Sequence, residues 1–408
     1  MKIAVIGAGA SGLAAALQAA WNGVNVTLFE HNDTIGRKLT VTGSGHCNLT
    51  NDSVDAASYA CADPKWMSTL LSRLGVSELL EMLAKIGIPA RKTEDGWYYP
   101  LSNSAHSVIQ AFAYAAGQAG ITLLTGRHVS GIAVNKNNGF AIRFSQGEKE
   151  FKADFDRVIV STGGCAYPSL GSRGDLFPVL QKMGHDVLEN RPALAPILVD
   201  TGSLKPLQGM RFDVKTALRK GGTMIAETSG NLIFTEWGLN GPAVMDISHH
   251  VTRHPAGTLE LSMDFLAFFR DEFNRFLVAN RNGSMTAAIF LNAFFAPKVV
   301  STFLRAARVE GETTLSRMDN QSLDDLIDLL QNSRFPVKGV RDFTYCQVSA
   351  GGVPVTEVDP DTLESRQIKG LYLTGETLDV VGPCGGFNLH FAFGSGALAG
   401  MAAARRRV

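Results

Sequence analysis

The hydrophobic pattern at the start of the chain predicts a strand, a glycine-rich turn, a helix and a second strand. Residues 2–6 form a short apolar run with β-branched side chains, which is typical of a buried parallel strand. Residues 13–22 are rich in alanine and predict a helix, which Gly23 would end. Residues 24–29 predict a second buried strand, and Glu30 follows it. This order is that of a βαβ unit.

Three glycines between the first strand and the helix have the spacing of a dinucleotide-binding motif. Gly7 allows a tight turn, Gly9 lets the backbone approach a pyrophosphate, and Gly12 lets the helix pack closely on the strand. The helix start then offers free amides and a partial positive charge to phosphates. Glu30 follows at the spacing of an acidic side chain that binds ribose hydroxyls. These features predict a dinucleotide site; the alternative is a glycine-rich turn without a ligand.

The residues after Glu30 favour FAD over a nicotinamide nucleotide at this site. Gly36 is followed by two cations, Arg37 and Lys38. In flavoproteins with two dinucleotide-binding folds, such a stretch runs along the pyrophosphate and the ribityl chain of the cofactor. A nicotinamide dehydrogenase does not need it. We therefore expect FAD as the cofactor.

Patterning along the rest of the chain predicts a discontinuous domain with an insertion. Residues 192–264 contain short β-like runs with turn signals and predict a β-rich insert. Residues 265–342 have helical periodicity and predict a small helical subdomain. Residues 1–191 and 343–408 are then the FAD-binding domain. The predicted fold class is α/β, with a Rossmann-like FAD domain of the two-dinucleotide-binding type.

Composition and charge limit the classes of protein to which this chain can belong. Hydrophobic residues make up 45% of the 408 residues and charged residues 19%, which excludes a disordered chain. Lys and Arg together number 38, as do Asp and Glu, so the net charge is zero. We therefore expect a small-molecule substrate and no nucleic-acid partner.

Cysteine usage and hydropathy bear on the location of the protein. The five cysteines are widely spaced, without a C-x-x-C pair, so we expect neither disulfides nor a metal site. No apolar run is long enough for a membrane span. Reduced thiols and the absence of a span predict a cytoplasmic protein without a membrane partner.

Six segments in chain order carry a family resemblance: residues 36–51, 158–164, 234–242, 347–353, 370–379 and 385–389. Together they resemble the BaiN-type NAD(P)/FAD-dependent oxidoreductases, also known as aminoacetone-oxidase-family FAD-binding flavoproteins. The match spans nearly the whole chain. This chain has His46 where the family usually has Arg, Glu236 where it has His, and Phe387 where it has Tyr.

The glycine motif and the resemblance together imply a set of cofactor-binding residues: Gly7, Gly9, Ala10, Ser11, Gly12, Glu30, His31, Gly36, Arg37, Lys38, Gly43, Ser44, Gly45, Asn48, Val129, Thr162, Gly163, Gly164, Gly375, Glu376, Asp379, Gly386, Phe387, Asn388 and Leu389. The resemblance implies that the Val129 backbone flanks adenine and that Glu376 binds the ribityl hydroxyls. It also directs the start of a helix over residues 388–399 at the flavin C2 carbonyl, where a helix N-terminus stabilises negative charge. The alternative is that Gly394 and Gly396 only allow close helix packing.

The catalytic acid or base is not identified by the sequence. His46 and Asp379 are the candidates, because both lie in segments expected near the flavin. Cys47 and Cys384 also lie there, but neither has a second cysteine at redox spacing. We interpret both as buried thiols rather than as a redox pair with the flavin.

The predicted function is that of an FAD-dependent oxidoreductase. NAD(P)H is the expected electron donor, and a small organic molecule or oxygen is the expected acceptor. A second complete G-x-G-x-x-G motif is absent, so no separate Rossmann module is predicted for the donor. One alternative is an amine oxidase or dehydrogenase whose substrate reduces the flavin. The other is a flavin-dependent RNA-modifying or RNA-binding protein, which the zero net charge disfavours.

Overall fold

The computed structural model describes residues 1–135 and 139–405, and the chain divides into two compact units. The first unit joins Met1–Arg191 with Phe343–Val408, and the second is Pro192–Asp342. The second unit contains both the β-rich insert and the helical segment predicted from the sequence.

A five-stranded parallel sheet forms the centre of the first unit, with the spatial order Leu371–Leu373, Arg157–Val160, Lys2–Ile6, Asn25–Phe29 and Thr122–Leu124. Its strands are rich in buried Val, Ile and Leu, as expected of a sheet covered on both faces. Because the strands are parallel, their carboxyl ends meet at one edge. The loops that begin at Gly7, Glu30, Ser161 and Thr374 all start at that edge.

The helices of the first unit are Ala10–Trp21, Pro64–Arg73, Val76–Lys85, Ala105–Gln118, Phe177–Lys182 and Phe387–Ala404. The first and the last of these pack backbone against backbone. A Cβ atom at Gly396 would lie 2.0 Å from the Ser11 carbonyl oxygen, and one at Gly400 would lie 2.2 Å from that of Ala15. Glycine is therefore required where the two ends of the chain meet.

Smaller sheets complete the first unit. One is antiparallel and contains His128–Val134, Phe140–Gln146 and Lys149–Phe155. The others are Thr50–Asn51 with Trp97–Pro100 and Ala90–Lys92, Leu188–Ala193 with Val348–Gly352, and Ala60–Cys61 with Val380–Val381. A 3₁₀ segment, Arg37–Gly45, follows the second parallel strand.

The second unit is a closed antiparallel barrel, whose strands in spatial order are Ile197–Val199, Gly238–Asn240, Thr223–Phe234, Arg211–Lys220, Glu260–Asp264 and Ser333–Val340. Its helices are Pro242–Met245, Ser248–Val251, Arg270–Asn280, Ala287–Asn292, Pro297–Ala306 and Asn320–Gln331. The prediction treats 265–342 as a separate helical subdomain. In the structure this segment ends in Ser333–Val340, which closes the barrel, and Phe303 packs on Phe265 with 5.0 Å between ring centroids. The helices are therefore part of the barrel unit.

In the two described ranges, every helix falls short of the length and hydropathy that a membrane-crossing helix needs.

Candidate functional site

The turn before the first helix is closed by protein at two glycines and open at the third. A Cβ atom would lie 2.4 Å from the Ser161 carbonyl oxygen at Gly7, and 1.8 Å from the Gly7 carbonyl oxygen at Gly12. At Gly9, a Cβ atom would meet no described atom within 4 Å. The helix Ala10–Trp21 begins without a side-chain cap, so its first amides are available to a ligand. Open space and uncapped amides are what a pyrophosphate requires, so these residues fit FAD.

Glu30 lies at the end of the second parallel strand and is held by backbone amides. Its carboxylate accepts hydrogen bonds from Ala8 N at 2.9 Å and Asn32 N at 2.9 Å, and the residue is 8% exposed. Asn32 in turn accepts from Arg37 at 2.7 Å. Oε1 also accepts from Asn32 Nδ2 at 2.7 Å, whereas Oε2 accepts from Ala8 N and keeps a second lone pair for a ribose hydroxyl.

The strand that contains Val129 begins beside Glu30. The backbone amide of Arg127 donates to the Glu30 carbonyl at 2.9 Å, and the rings of His31 and His128 meet edge to face at 6.3 Å. Val129 is buried, and the strand register shifts directly after it. The structure therefore brings the predicted adenine contact next to the predicted ribose contact.

An ion pair links two of the predicted cofactor segments. Lys38 Nζ lies 2.5 Å from a Glu376 oxygen, and the other oxygen of Glu376 accepts from Ser349 N and Ser349 Oγ, each at 2.8 Å. Ser349 Oγ also accepts from Cys165 N at 2.9 Å, next to the turn of Thr162, Gly163 and Gly164. A Cβ atom at Gly164 would lie 2.0 Å from Ser349 Oγ, so glycine is required there.

Ser349 was not among the predicted site residues. It lies in the segment 347–353, which carries part of the family resemblance, and that position is the signal by which it was recognisable. Asp379, a candidate catalytic residue, accepts from Gly351 N at 2.7 Å through one carboxylate oxygen. Asp379 therefore binds the Gly351 amide through one carboxylate oxygen, and its second oxygen is not bonded to this amide.

The turn before the last helix is shaped by side chains from the predicted site. Asn388 accepts from Gly382 N at 2.9 Å and donates to Gly382 O at 2.8 Å, and Phe387 O accepts from Tyr59 Oη at 2.9 Å. Gly386 has φ +100°, and a Cβ atom there would lie 2.5 Å from Thr50 O. The helix Phe387–Ala404 has no side-chain cap, so its first amides, with Leu389 in the first turn, are available to a ligand.

The segment from Gly36 to Asn48 bends through several left-handed residues, which are Gly36, Gly43, Ser44, Gly45 and Cys47. A Cβ atom at Gly43 would lie 3.1 Å from Asn48 N and 3.3 Å from the Tyr99 ring. The bends bring Asn48 and Thr50 to the start of the last helix.

Two histidines near this segment differ in exposure. His46 is exposed, and its Nδ1 lies 3.0 Å from Asn103 O. His390 is fully buried, and its Nδ1 lies 2.8 Å from Thr50 Oγ1. Burial lowers the pKa of His390 to about 4, so the ring is neutral at pH 7. His390 therefore positions Thr50, whereas His46 remains accessible to proton transfer.

The cysteines of the flavin segments are thiols. All five cysteines are free, and Cys47 is fully buried. Burial raises the pKa of Cys47 to about 11, so its sulfur is protonated at neutral pH and is a poor nucleophile. Cys384 is half-buried.

Sequence similarity to known proteins covers nearly the whole chain. A family model described as HI0933-like protein Rossmann domain matches residues 1–402. The 3-dehydro-bile acid delta(4,6)-reductase of Clostridium scindens is 36% identical, over 99% of both chains. The ribosomal RNA dihydrouridine synthases of Haemophilus influenzae and Escherichia coli are each 27% identical, over 96% of this chain and 95% of theirs.

Solved structures share the fold at low identity. The 3-ketosteroid delta1-dehydrogenase of Sterolibacterium denitrificans has a TM-score of 0.55 and 12% identity, over 99% of both chains. The 3-ketosteroid-delta4-(5alpha)-dehydrogenase of Rhodococcus jostii has a TM-score of 0.52 and 14% identity, over 99% of this chain and 96% of that one. The predicted α/β Rossmann-type fold and the predicted family are confirmed. The chain belongs to the HI0933-like family and is an FAD-dependent oxidoreductase.

Proposed function

We propose that this protein uses NAD(P)H to reduce a carbon–carbon double bond conjugated to a carbonyl in a small molecule. The observation that carries the proposal is the 36% identity, over 99% of both chains, to a reductase whose name specifies delta(4,6) double bonds. The net charge of zero favours a small molecule over a polyanion as substrate.

The overall reaction takes a hydride from NAD(P)H and a proton from solvent. The hydride ends on the β-carbon of the double bond and the proton on the α-carbon, leaving a saturated carbonyl compound and NAD(P)⁺. When bound, FAD supplies the two-electron chemistry that connects the hydride donor with the acceptor.

In this proposal, residues of this chain bind and orient the cofactor. Gly9 and the first helix amides hold the pyrophosphate, and Glu30 accepts from the ribose. Glu376, held by Lys38 and Ser349, accepts from the ribityl hydroxyls. The uncapped amides at the start of the last helix would supply a positive electrostatic potential to the bound flavin ring. His46 and Asp379 are the proposed sources of the proton.

Anaerobic mixing of the purified protein with NADH and, separately, NADPH tests the donor. We expect the flavin band at about 450 nm to bleach with one of them and to return when a cyclic enone is added. A flavin that only an amine substrate bleaches would instead support an amine oxidase or dehydrogenase. Gly9→Val protein, expected to lack FAD, is the control for NAD(P)H oxidation that does not involve the flavin.

The second candidate is an rRNA-reducing enzyme, because two relatives that are 27% identical are named as ribosomal RNA dihydrouridine synthases. Offering the reduced protein ribosomal RNA that lacks dihydrouridine distinguishes the two candidates. Flavin reoxidation by rRNA but not by cyclic enones would replace our proposal with this second one.

A further inference from the structure

Two aromatic side chains lie against the segments that resemble flavin-binding motifs. Trp97 and Tyr99 are alternate residues of one strand, so they share a face of the sheet, with 6.4 Å between ring centroids. Cβ atoms at Gly385 and Gly43 would lie 3.1 Å from the Trp97 indole and 3.3 Å from the Tyr99 ring, respectively. We name this pair the aromatic shelf.

The polar atoms of the aromatic shelf are available to a ligand. Over residues 1–135 and 139–405, neither Trp97 Nε1 nor Tyr99 Oη has a hydrogen-bond partner. Tyr98 lies between them on the opposite face, and its hydroxyl is occupied because it donates to Asp52 at 3.1 Å. Both shelf rings are half-buried, and burial raises the pKa of Tyr99, so its phenol is a donor at neutral pH.

This arrangement differs from ordinary packing of aromatic residues. A half-buried indole or phenol usually satisfies its N–H or O–H within the protein when neighbours permit. Here the Trp97 ring edge at Cε2 and Nε1 lies against Gly385 and the Tyr99 ring edge lies against Gly43, while neither donor has a hydrogen-bond partner among the described residues. The shelf therefore combines an apolar surface with unused donors beside the cofactor segments, as binding sites for small molecules do.

We infer that the aromatic shelf binds the substrate, and that the substrate carries its conjugated carbonyl within a ring. The ring lies on Trp97, and its carbonyl oxygen accepts a hydrogen bond from Tyr99 Oη. This inference rests on the proposed function and specifies its substrate class. The Tyr99 hydroxyl stabilises the negative charge that develops on the carbonyl oxygen while hydride adds to the β-carbon, before the α-carbon gains its proton.

Three single variants test the shelf: Tyr99→Phe, Trp97→Leu and, as the matched control on the opposite face, Tyr98→Phe. Binding of 4-androstene-3,17-dione and of a uridine-containing RNA oligonucleotide is measured by perturbation of the bound flavin spectrum. These two probes share the ring enone and distinguish a free small molecule from RNA as its source. Reduction by NADPH and reoxidation by the probe are then followed separately, with FAD content and melting temperature recorded for each variant.

We expect Tyr99→Phe to slow reoxidation about 100-fold while reduction by NADPH is unchanged. Trp97→Leu should weaken probe binding about tenfold. Tyr98→Phe should match the wild type in both steps.

The inference is overturned when both shelf variants bind and react as the wild type does, and also when the wild type binds neither probe. In both cases, NADPH-dependent bleaching and reoxidation by another acceptor would leave the proposed function intact. A wild type that binds a probe through the shelf but is bleached by neither NADH nor NADPH would refute the proposed donor and keep the shelf.

Discussion

The two helix starts of the first unit, residues 7–12 and 382–386, have similar glycine-rich sequences and different packing. At the first, a Cβ atom would collide with backbone at Gly7 and Gly12 but would meet no atom of the described residues within 4 Å at Gly9. At the second, a Cβ atom at Gly386 would lie 2.5 Å from Thr50 O, and one at Gly385 would lie 3.1 Å from Trp97. A glycine can thus be required by the protein itself or by a ligand, and only the space around it tells the two apart.

Valine substitutions at Gly12 and Gly9 should separate most clearly a glycine that protein packing requires from one that the ligand requires. Gly12→Val places a side chain on the Gly7 carbonyl and should cost more than about 4 kcal/mol, so that little folded protein remains. Gly9→Val should fold normally and lose FAD, because the valine fills the space proposed for the pyrophosphate. Circular dichroism, thermal unfolding and FAD absorbance after gel filtration measure both effects. A Gly9→Val protein that retains FAD would contradict the site assignment.

At the second helix start, substitution of Gly386 should lower the stability of the fold, because this glycine packs against protein backbone. Gly386→Ala combines a φ of +100° with the Thr50 contact, and we expect a loss of about 2–4 kcal/mol in the free energy of unfolding. Gly87 has φ +86°, and a Cβ there would meet no atom of the described part of the chain within 4 Å, so Gly87→Ala is the control for backbone strain alone. Its expected cost is about 1 kcal/mol by denaturant unfolding. Equal costs would show that the Thr50 contact relaxes freely.

The Lys38–Glu376 ion pair at the sheet edge should strengthen FAD binding. Lys38→Met leaves the largely buried Glu376 carboxylate without its cation, and we expect FAD to bind about tenfold more weakly in a fluorescence titration. Lys92→Met removes an ion pair with Asp52 in which both side chains are about half exposed, and serves as the control. It should leave FAD affinity unchanged and alter stability by less than about 1 kcal/mol. A Lys38→Met protein with wild-type affinity would restrict the pair to a structural role.

His390 makes the second helix start sensitive to pH. The pKa of its buried ring is lowered from 6.5 to about 4, so the unfolded chain binds a proton in this window that the folded chain does not. The stabilising contribution is present above pH 6.5, decreases as the pH falls towards about 4, and changes no further below that. His390→Gln should therefore flatten the melting temperature between these limits. Burial also lowers the pKa of His249, to about 4, and that of His250, so a background with both His249→Gln and His250→Gln removes the overlapping slope.

The smallest effects are expected at the cysteines of the flavin segments. Cys47→Ser and Cys384→Ser should each change the rate of flavin reduction by less than about threefold, because the Cys47 thiol is buried and protonated and neither cysteine has a second cysteine at redox spacing. Stopped-flow absorbance with the donor that bleaches the wild type measures this rate. A loss of 100-fold or so in either variant would establish a thiol in the reaction.

Local features of this protein were predictable from sequence. The βαβ unit around Gly7, Gly9 and Gly12 depends on the periodicity and glycine spacing of about thirty consecutive residues, which the sequence displays directly. The cofactor class followed from the same region and was confirmed with the family. The helices after residue 265 were also recognisable from the helical periodicity of their apolar residues. That they belong to the barrel unit was not recognisable.

Contacts between distant residues were not predictable. Lys38 and Glu376 are 338 positions apart, and their pairing depends on how two sheet-edge loops meet in the folded chain. Ser349 and the His390–Thr50 contact have the same origin. The strand Ser333–Val340 follows a helical run, and its role became visible only through its pairing with Ile197–Val199 and Glu260–Asp264.

The close approach of Gly396 and Gly400 to Ser11 and Ala15 has a consequence for biosynthesis. The partner of the first helix lies far along the chain, so the nascent chain carries an unmatched apolar helix until Phe387–Ala404 has been synthesised. A deletion that removes the last turns of Phe387–Ala404 should leave a chain that chaperones retain and proteases degrade. FAD binding that depends on both helices would then follow the synthesis of Phe387–Ala404.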